Sequence, residues 1–311
     1  MKLEAPTGRL SYPPVISISP AILLGGAVYE ALLIDSLNPD FNMIEFEAAT
    51  FGHSLFHLGI HFFDLFDFQN KMNVDRFVFA TWLLKIEGGY RIANPYHNAS
   101  HAADVLHSMV FFIRRPKIFL NLSIEDIFAC VVASIIHDFK HPGVNNAFLI
   151  ATSNPLAIRY NDLGVLEAFH VASVFELMLD PKYDILATLS PDLKRYEREM
   201  IIGMVLATDM AFHFEWIGKF KTKMATTGIM FDNRNDKKIC LHLSIKCSDL
   251  NNSAKTNLQS RIWTQLVMEE FFKQGDEENV RSLPISVFMD RTSTDIPKCQ
   301  VVSDDLIVGI H

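Results

Sequence analysis

Two short stretches hold the residues best able to do chemistry. The first is Tyr96-His97-Asn98-Ala99-Ser100-His101-Ala102-Ala103-Asp104, and the second is His137-Asp138-Phe139-Lys140-His141-Pro142-Gly143-Val144-Asn145-Asn146. Histidines four apart lie about 40° from each other around a helix, so His97 and His101 are expected to point into one cleft. His137 and His141 add neutral imidazole nitrogens and Asp138 a hard carboxylate, a donor set suited to zinc and magnesium. One histidine pair alone is more often a hydrogen-bonded core feature. Two clusters together point to metal, because Asp138 follows an apolar run over 124–136 and a carboxylate there needs a partner or a cation to offset desolvation. The expectation is a binuclear metal site. His53, His57 and His61 also recur every four residues, but no carboxylate accompanies them and they read as a half-buried helix face.

The elements that must carry these groups read as helices. Residues 1–20, with Pro6, Pro13, Pro14 and Pro20, read as an arm preceding a domain over 21–311. A short helix is expected over 21–35, ended at Asn38-Pro39-Asp40, and helical spacing runs over 41–68. The next helix covers 75–87, with Phe77, Phe79, Trp82 and Leu84 as core, and stops at Gly88-Gly89. Pro95 is placed to open a helix over 96–113 that turns His97, His101 and Asp104 inward. Ser123 and Asp126 form a capping box for the apolar helix that ends at His137 and Asp138.

Glu167 and His170 interrupt an apolar helix over 163–179. Ser190-Pro191-Asp192 starts a helix expected to reach about residue 224, with Thr208-Asp209 in its middle. A polar loop is expected over 226–238, Asp249 falls in a segment over 239–253, and the last clear helix covers 255–273, ended by Gly275 and Asp276-Glu277-Glu278. Residues 281–300 read as a long loop over the cleft. Alternating strand patterns are scarce, and the fold class is all-α.

Composition narrows the partners. The chain has 311 residues, 49% of them hydrophobic, enough for a large core, and its net charge of −8 without a basic run argues against nucleic acid. Cys130, Cys240, Cys247 and Cys299 form no CxxC pair, which argues for a reducing compartment. No apolar run reaches about 18 residues, so no membrane segment is read in this chain and a cytoplasmic location is expected. Oligomeric state is left open.

The order of motifs resembles the catalytic domain of the class I cyclic-nucleotide phosphodiesterases over 20–300. The matching stretches are YHNxxHAAD at 96–104, HDxxHPGxxN at 137–146, YNDxxVLE at 160–167, LATDM at 206–210, CSDLNN at 247–252 and WTxxxMEEFFxQGD at 263–276. The resemblance implies a compact multi-helix domain with a deep binuclear pocket that hydrolyses cAMP, cGMP or both to 5′-nucleoside monophosphates. It implies His101, His137, Asp138 and Asp249 as ligands of a zinc ion, with Asp138 bridging to magnesium, which manganese can replace. It implies His141, Glu167 and Thr208 as holders of the waters around the metals, with Asp209 shared between that role and a cap. His97 is implied as general acid, oriented by Glu270, and Tyr96, Leu250, Asn252, Val267, Phe271 and Gln300 as the substrate pocket.

The resemblance fails after Gln300. The family continues Val-Gly-Phe-Ile-Asp and adds further helices, whereas this chain reads Val301-Val302-Ser303-Asp304-Asp305-Leu306 and ends at His311. Ser303 has no π-face to stack on a purine, and stacking worth about 1–3 kcal/mol corresponds to a roughly ten- to hundredfold loss of affinity. Two other readings stand beside the hydrolase: a different HD-type phosphohydrolase, and a metal-retaining scaffold that binds cyclic nucleotide without turnover.

Overall fold

A first helical turn has N–H groups with no partner of their own, and eight of the fourteen helices named below start where a side-chain oxygen accepts from them. The computed structural model describes residues 33–300. Asn42 caps α1 (Met43–Ala49), which is followed by α2 (Ser54–Phe66) and α3 (Phe68–Met72). Asp75 caps α4 (Arg76–Glu87), Asn98 caps α5 (Ala99–Ile113), and α6 (Pro116–Phe119) begins on a proline. The Ser123–Asp126 capping box starts α7 (Ile124–Ile136), and Asn145 and Asn154 cap α8 (Asn146–Ala151) and α9 (Pro155–Arg159). Then come α10 (Val165–Leu177), α11 (Pro191–Ala207) capped by Ser190, α12 (His213–Thr226), α13 (Arg234–Asp249) capped by Asn233, and α14 (Asn257–Val280). There is no strand among the described residues, and the all-α expectation holds.

The core forms around α7, which is buried at every position from Asp126 to Ile136 and packs against α5 and α11. α5 in turn lies against α2 and α13. This arrangement sets the start of α5, the end of α7 and the end of α13 beside one another, where the donor residues are.

Several boundaries depart from the sequence reading, each for a local reason. The 41–68 segment is broken by Phe51 and Gly52, whose positive φ of 54° and 85° no helix continues through. Phe77 and Leu84 are 80% and 50% exposed, because the buried face of α4 runs through Phe79, Trp82, Leu83 and Ile86 in i, i+3, i+4, i+7 order. The helix expected from residue 96 starts at Ala99, since the Asn98 side chain accepts from Ser100 N and His101 N. The long helix from Ser190 divides at Thr208-Asp209, and the chain bends by 82° between Pro191–Ala207 and Met210–Thr226. The 226–238 loop is shorter than expected, because Asn233 already caps α13.

α14 runs through Gly275 instead of stopping there. A Cβ at this position would lie 1.9 Å from Met289 O, so the glycine admits the returning 281–290 segment against the helix. That segment is pinned where Glu278 accepts from Ser286 N and Ser286 Oγ, both at 2.7 Å, and residues 296–300 are helical. The expected arm, the domain boundary at 20, most of the 21–35 helix and Ser303 lie outside the described residues. Among the described residues no single helix is long and apolar enough to cross a membrane.

Glu197 on α11 sits fully buried, and neither carboxylate oxygen has a hydrogen-bond partner. Burial pushes its pKa up to about 9, with the Glu125 and Asp126 carboxylates adding to the rise. Well below the ordinary value of 4.5 both states are protonated; as pH rises through it the unfolded chain ionises while the folded protein keeps its proton, so stability is lost from there up to about 9. At pH 7 that loss amounts to about 3 kcal/mol. Glu197→Met is therefore expected to stabilise the protein by about 3 kcal/mol more at pH 7 than below pH 4, on top of a pH-independent gain from removing two unpartnered oxygens. Urea unfolding of both proteins across this range checks it, and parallel profiles would refute it.

Candidate active site

The first turn of α5, the C-terminal end of α7 and the last residue of α13 bring His101, His137, Asp138 and Asp249 together. His101 Nε2 lies 3.3 Å from His137 Nε2 and 3.1 Å from Asp249 Oδ1. Asp138 Oδ2 is 3.2 Å from His137 Nε2 and 3.6 Å from His101 Nε2. A tetrahedral ion with metal–ligand bonds near 2.1 Å sets its donors about 3.3–3.4 Å apart, so these spacings suit one divalent cation. The tautomer fits as well: His137 Nδ1 donates to Ser134 O at 2.9 Å, which leaves its Nε2 lone pair facing the other donors. Burial opposes charge on Asp138 and Asp249, yet the facing histidines hold both carboxyls well below the usual range.

The other oxygen of Asp138 faces a residue to which the sequence reading assigned no role. His170 Nδ1 donates to Phe139 O at 2.7 Å, and its Nε2, with no hydrogen-bond partner, points at Asp138 Oδ1 from 3.6 Å. Burial brings the His170 pKa down to about 4, so the ring is neutral. A lone pair facing a carboxylate calls for a cation or a water between them, and Asp138, His141 and His170 form a second group of close donors. The available signal was the Glu167/His170 spacing, i and i+3 on one face of α10.

His97 lies just before α5 and is held by Glu270 on α14. Glu270 Oε1 pairs with His97 Nδ1, and Oε2 accepts from Tyr96 N at 2.9 Å and His97 N at 3.0 Å. Asn94 Nδ2 donates to His97 O and to His141 O, both at 2.9 Å, and so ties the two motif stretches together. His97 Nε2 sits 4.0 Å from Asp138 Oδ2. Burial disfavours the imidazolium, but the Glu270 and Asp138 carboxylates outweigh it and raise the His97 pKa to about 9. Against the same opposing burial, His97 takes Glu270 down to about 2.

A cavity of about 370 Å³ opens onto these groups, lined by His97, Asp138, His141, Asp249 and Glu270 on one side. Glu167, Thr208, Asp209 and Phe271 line it elsewhere. Burial pushes the Glu167 pKa up to about 7, against the hydrogen bond its carboxylate accepts from Asn146 Nδ2. Asp209 also accepts from Ala211 N at 2.9 Å, so it caps the turn after α11. The sequence reading did not single out Asn145, Met210 or Gln274, which also line it.

Tyr96, Leu250, Asn252, Val267 and Gln300 fall outside this lining. Asn252 Nδ2 donates to Tyr96 OH at 2.7 Å, and the Tyr96 ring lies 4.4 Å from that of His101. Leu250 caps α13, Val267 packs against the main core, and Gln300 Oε1 accepts from Thr264 Oγ1 at 3.0 Å.

Known proteins share this chain's pattern. The high affinity cAMP-specific and IBMX-insensitive 3′,5′-cyclic phosphodiesterase 8A of Mus musculus is 34% identical over 287 residues, covering 86% of this chain and 35% of the relative. The corresponding phosphodiesterase 8 of Drosophila melanogaster is 36% identical over 293 residues, covering 92% of this chain and 32% of the relative. The chain thus spans about a third of the length of these curated relatives. The solved structure of LmjPDEB1 in complex with IBMX superposes with a TM-score of 0.82 at 26% identity, covering 95% of this chain and 91% of that one. Residues 96–308 match the model of the 3′5′-cyclic nucleotide phosphodiesterase family, a span that holds every donor of the cluster described above. With fold, motif order and donor geometry in agreement, the chain belongs to the 3′5′-cyclic nucleotide phosphodiesterase family.

Proposed function

We propose that this chain hydrolyses 3′,5′-cyclic nucleotides to 5′-nucleoside monophosphates and prefers cAMP. The observation that carries the reading is Asp138, whose Oδ2 meets both the four-donor cluster and, at 4.0 Å, the imidazole held by Glu270. A cation site and a proton donor therefore face one cavity. The relatives named cAMP-specific support the nucleotide preference.

In this reading His101, His137, Asp138 and Asp249 hold a zinc ion. Asp138, with water held by His141, Glu167, Thr208 and Asp209, holds magnesium or manganese. When bound, such ions offset phosphate charge and acidify water. Water gives up one proton and adds to phosphorus as the P–O3′ bond breaks, the His97 Nε2 proton passes to the departing 3′ oxygen, and the proton released by the water restores the imidazolium by way of solvent. Glu270 keeps the imidazole protonated and aimed by pairing with its Nδ1. Phe271 gives the purine an apolar wall, Gln300 an amide, and Tyr96, Leu250, Asn252 and Val267 shape the surroundings. A cytoplasmic location is in keeping with four free thiols.

The test is release of 5′-monophosphate from cAMP and cGMP, with deoxynucleoside triphosphates as a comparison, by the purified chain with magnesium and then manganese. Turnover of cAMP ahead of cGMP supports the reading. Triphosphate cleavage without cyclic-nucleotide turnover would replace it with another phosphohydrolase, and cAMP binding without product would replace it with a scaffold.

A further inference from the structure

The end of α11 leaves carbonyls without an N–H to accept from. Thr208 N donates to Val205 O at 3.1 Å, and the chain then turns away with Asp209 extended at φ −53° and ψ 121°. Lys246, in the last turn of α13, reaches into this gap. Its Nζ donates to Ala207 O at 2.9 Å and Asp209 O at 3.1 Å, with Thr208 O at 3.4 Å and Met210 Sδ at 4.0 Å. The three carbonyls match the three N–H donors of an ammonium. Lys246 is 1% exposed, and among the described residues it forms no ion pair with a carboxylate.

A buried ammonium without a carboxylate against it is costly, so its charge must be stabilised by dipoles and by more distant charge. The negative end of α11 supplies the first, and Asp249, Asp209 and Glu167 the second. A helix end needs far less than this to be closed. One side chain here catches the backbone before the bend at Ala207 and after it at Asp209, and it stands three residues ahead of Asp249 on the same helix.

We infer that Lys246 is a positioning residue that locks the Thr208-Asp209 bend to the end of α13, so that Thr208, Asp209 and Asp249 share one cavity wall. The inference rests on the proposed function, in which Asp249 binds the tighter ion and Thr208 and Asp209 hold water around the weaker one. Lys246 touches neither ion nor substrate. Its effect falls on the weaker ion, whose surroundings lie across the bend, and spares the tighter one, whose donors come from α5, α7 and α13.

The test compares the parent with Lys246→Met, which fills the space without donors, and Lys246→Gln, which restores two of the three. Manganese titration followed by electron paramagnetic resonance is expected to show the weaker site loosened by about 10- to 100-fold in the Met variant, the range seen when an outer partner of a metal site is lost. Zinc content by elemental analysis stays at the parent's value. Amide exchange over 208–213 speeds up locally, kcat for cAMP falls with KM little changed, and the Gln variant lies between the two.

An unchanged manganese isotherm and unchanged exchange over 208–213, with only a lower melting temperature, overturn the inference and leave Lys246 a stabilising cap. An inactive parent whose manganese isotherm still responds to Lys246→Met would sink the proposed activity and keep the inference. Should the Met variant not fold, the Gln variant carries the same comparisons.

Discussion

His97→Asn lowers kcat for cAMP by about 100- to 10,000-fold, the usual contribution of a general acid, and leaves the metal content at the parent's value. Asparagine keeps a polar side chain beside Glu270 but has no proton to give at the position of Nε2. The four-donor cluster does not include His97, so the cation site stays intact. A second substrate separates this role from a structural one. A phosphodiester with a p-nitrophenolate leaving group needs no proton to depart, so its hydrolysis should fall far less than that of cAMP. Equal losses on both substrates, or loss of bound metal, would remove His97 from the acid role.

Asp249→Ala is expected to lower kcat by more than about 1,000-fold, because several kcal/mol of charge stabilisation leave with the tighter ion. Asp249 Oδ1 sits 3.1 Å from His101 Nε2 and 3.4 Å from His137 Nε2, so its removal breaks contact with both imidazoles. The thermal behaviour should change in a way that His97→Asn does not reproduce. An ion that binds only the folded state adds about 2.7 kcal/mol at a hundred times its dissociation constant. Chelator should therefore lower the melting temperature of the parent and of His97→Asn by clearly more than that of Asp249→Ala, which keeps only the donors of the weaker ion. An equal shift in Asp249→Ala would show that the other donors hold the tighter ion unaided.

Much of the donor cluster was legible because local signals fix where its residues fall. The Ser123–Asp126 box sets the start of α7, and its apolar run sets the end, so His137 and Asp138 arrive together at the C-terminus of a buried helix. Asn98 is an equally local cap, and weighing it above Pro95 places His97 outside α5, where the Glu270 clasp on its backbone becomes available. Phe77 and Leu84 look like core by residue type, but their phase is wrong for the stripe that Trp82 and Ile86 define.

Other features were hidden because their causes are distant in the chain. Between Met200 and Met210 the residue that composition would mark as a break is Gly203, yet it stays inside α11, and the group that closes the helix is Lys246, 39 residues beyond the Ala207 carbonyl it meets. Gly275 reads as a stop until Met289 returns to pack on it. His170 gains meaning only when α10 turns it toward Asp138 Oδ1.

The wide spacing of the site along the chain also bears on how the protein is made. His101 waits 148 residues for Asp249, and His97 waits 173 for Glu270. During synthesis the N-terminal helices can pack while these partners are still missing, and the early histidines and Asp138 then stand as an incomplete ligand set. Ion capture by the proposed donor set and closure of the Glu270 clasp on His97 wait until α13 and α14 have emerged. A nascent chain halted before α13 would present these imidazoles and the Asp138 carboxylate without Asp249, a partial set that copper or nickel ions can also occupy, so completion of the set limits loading with the wrong ion.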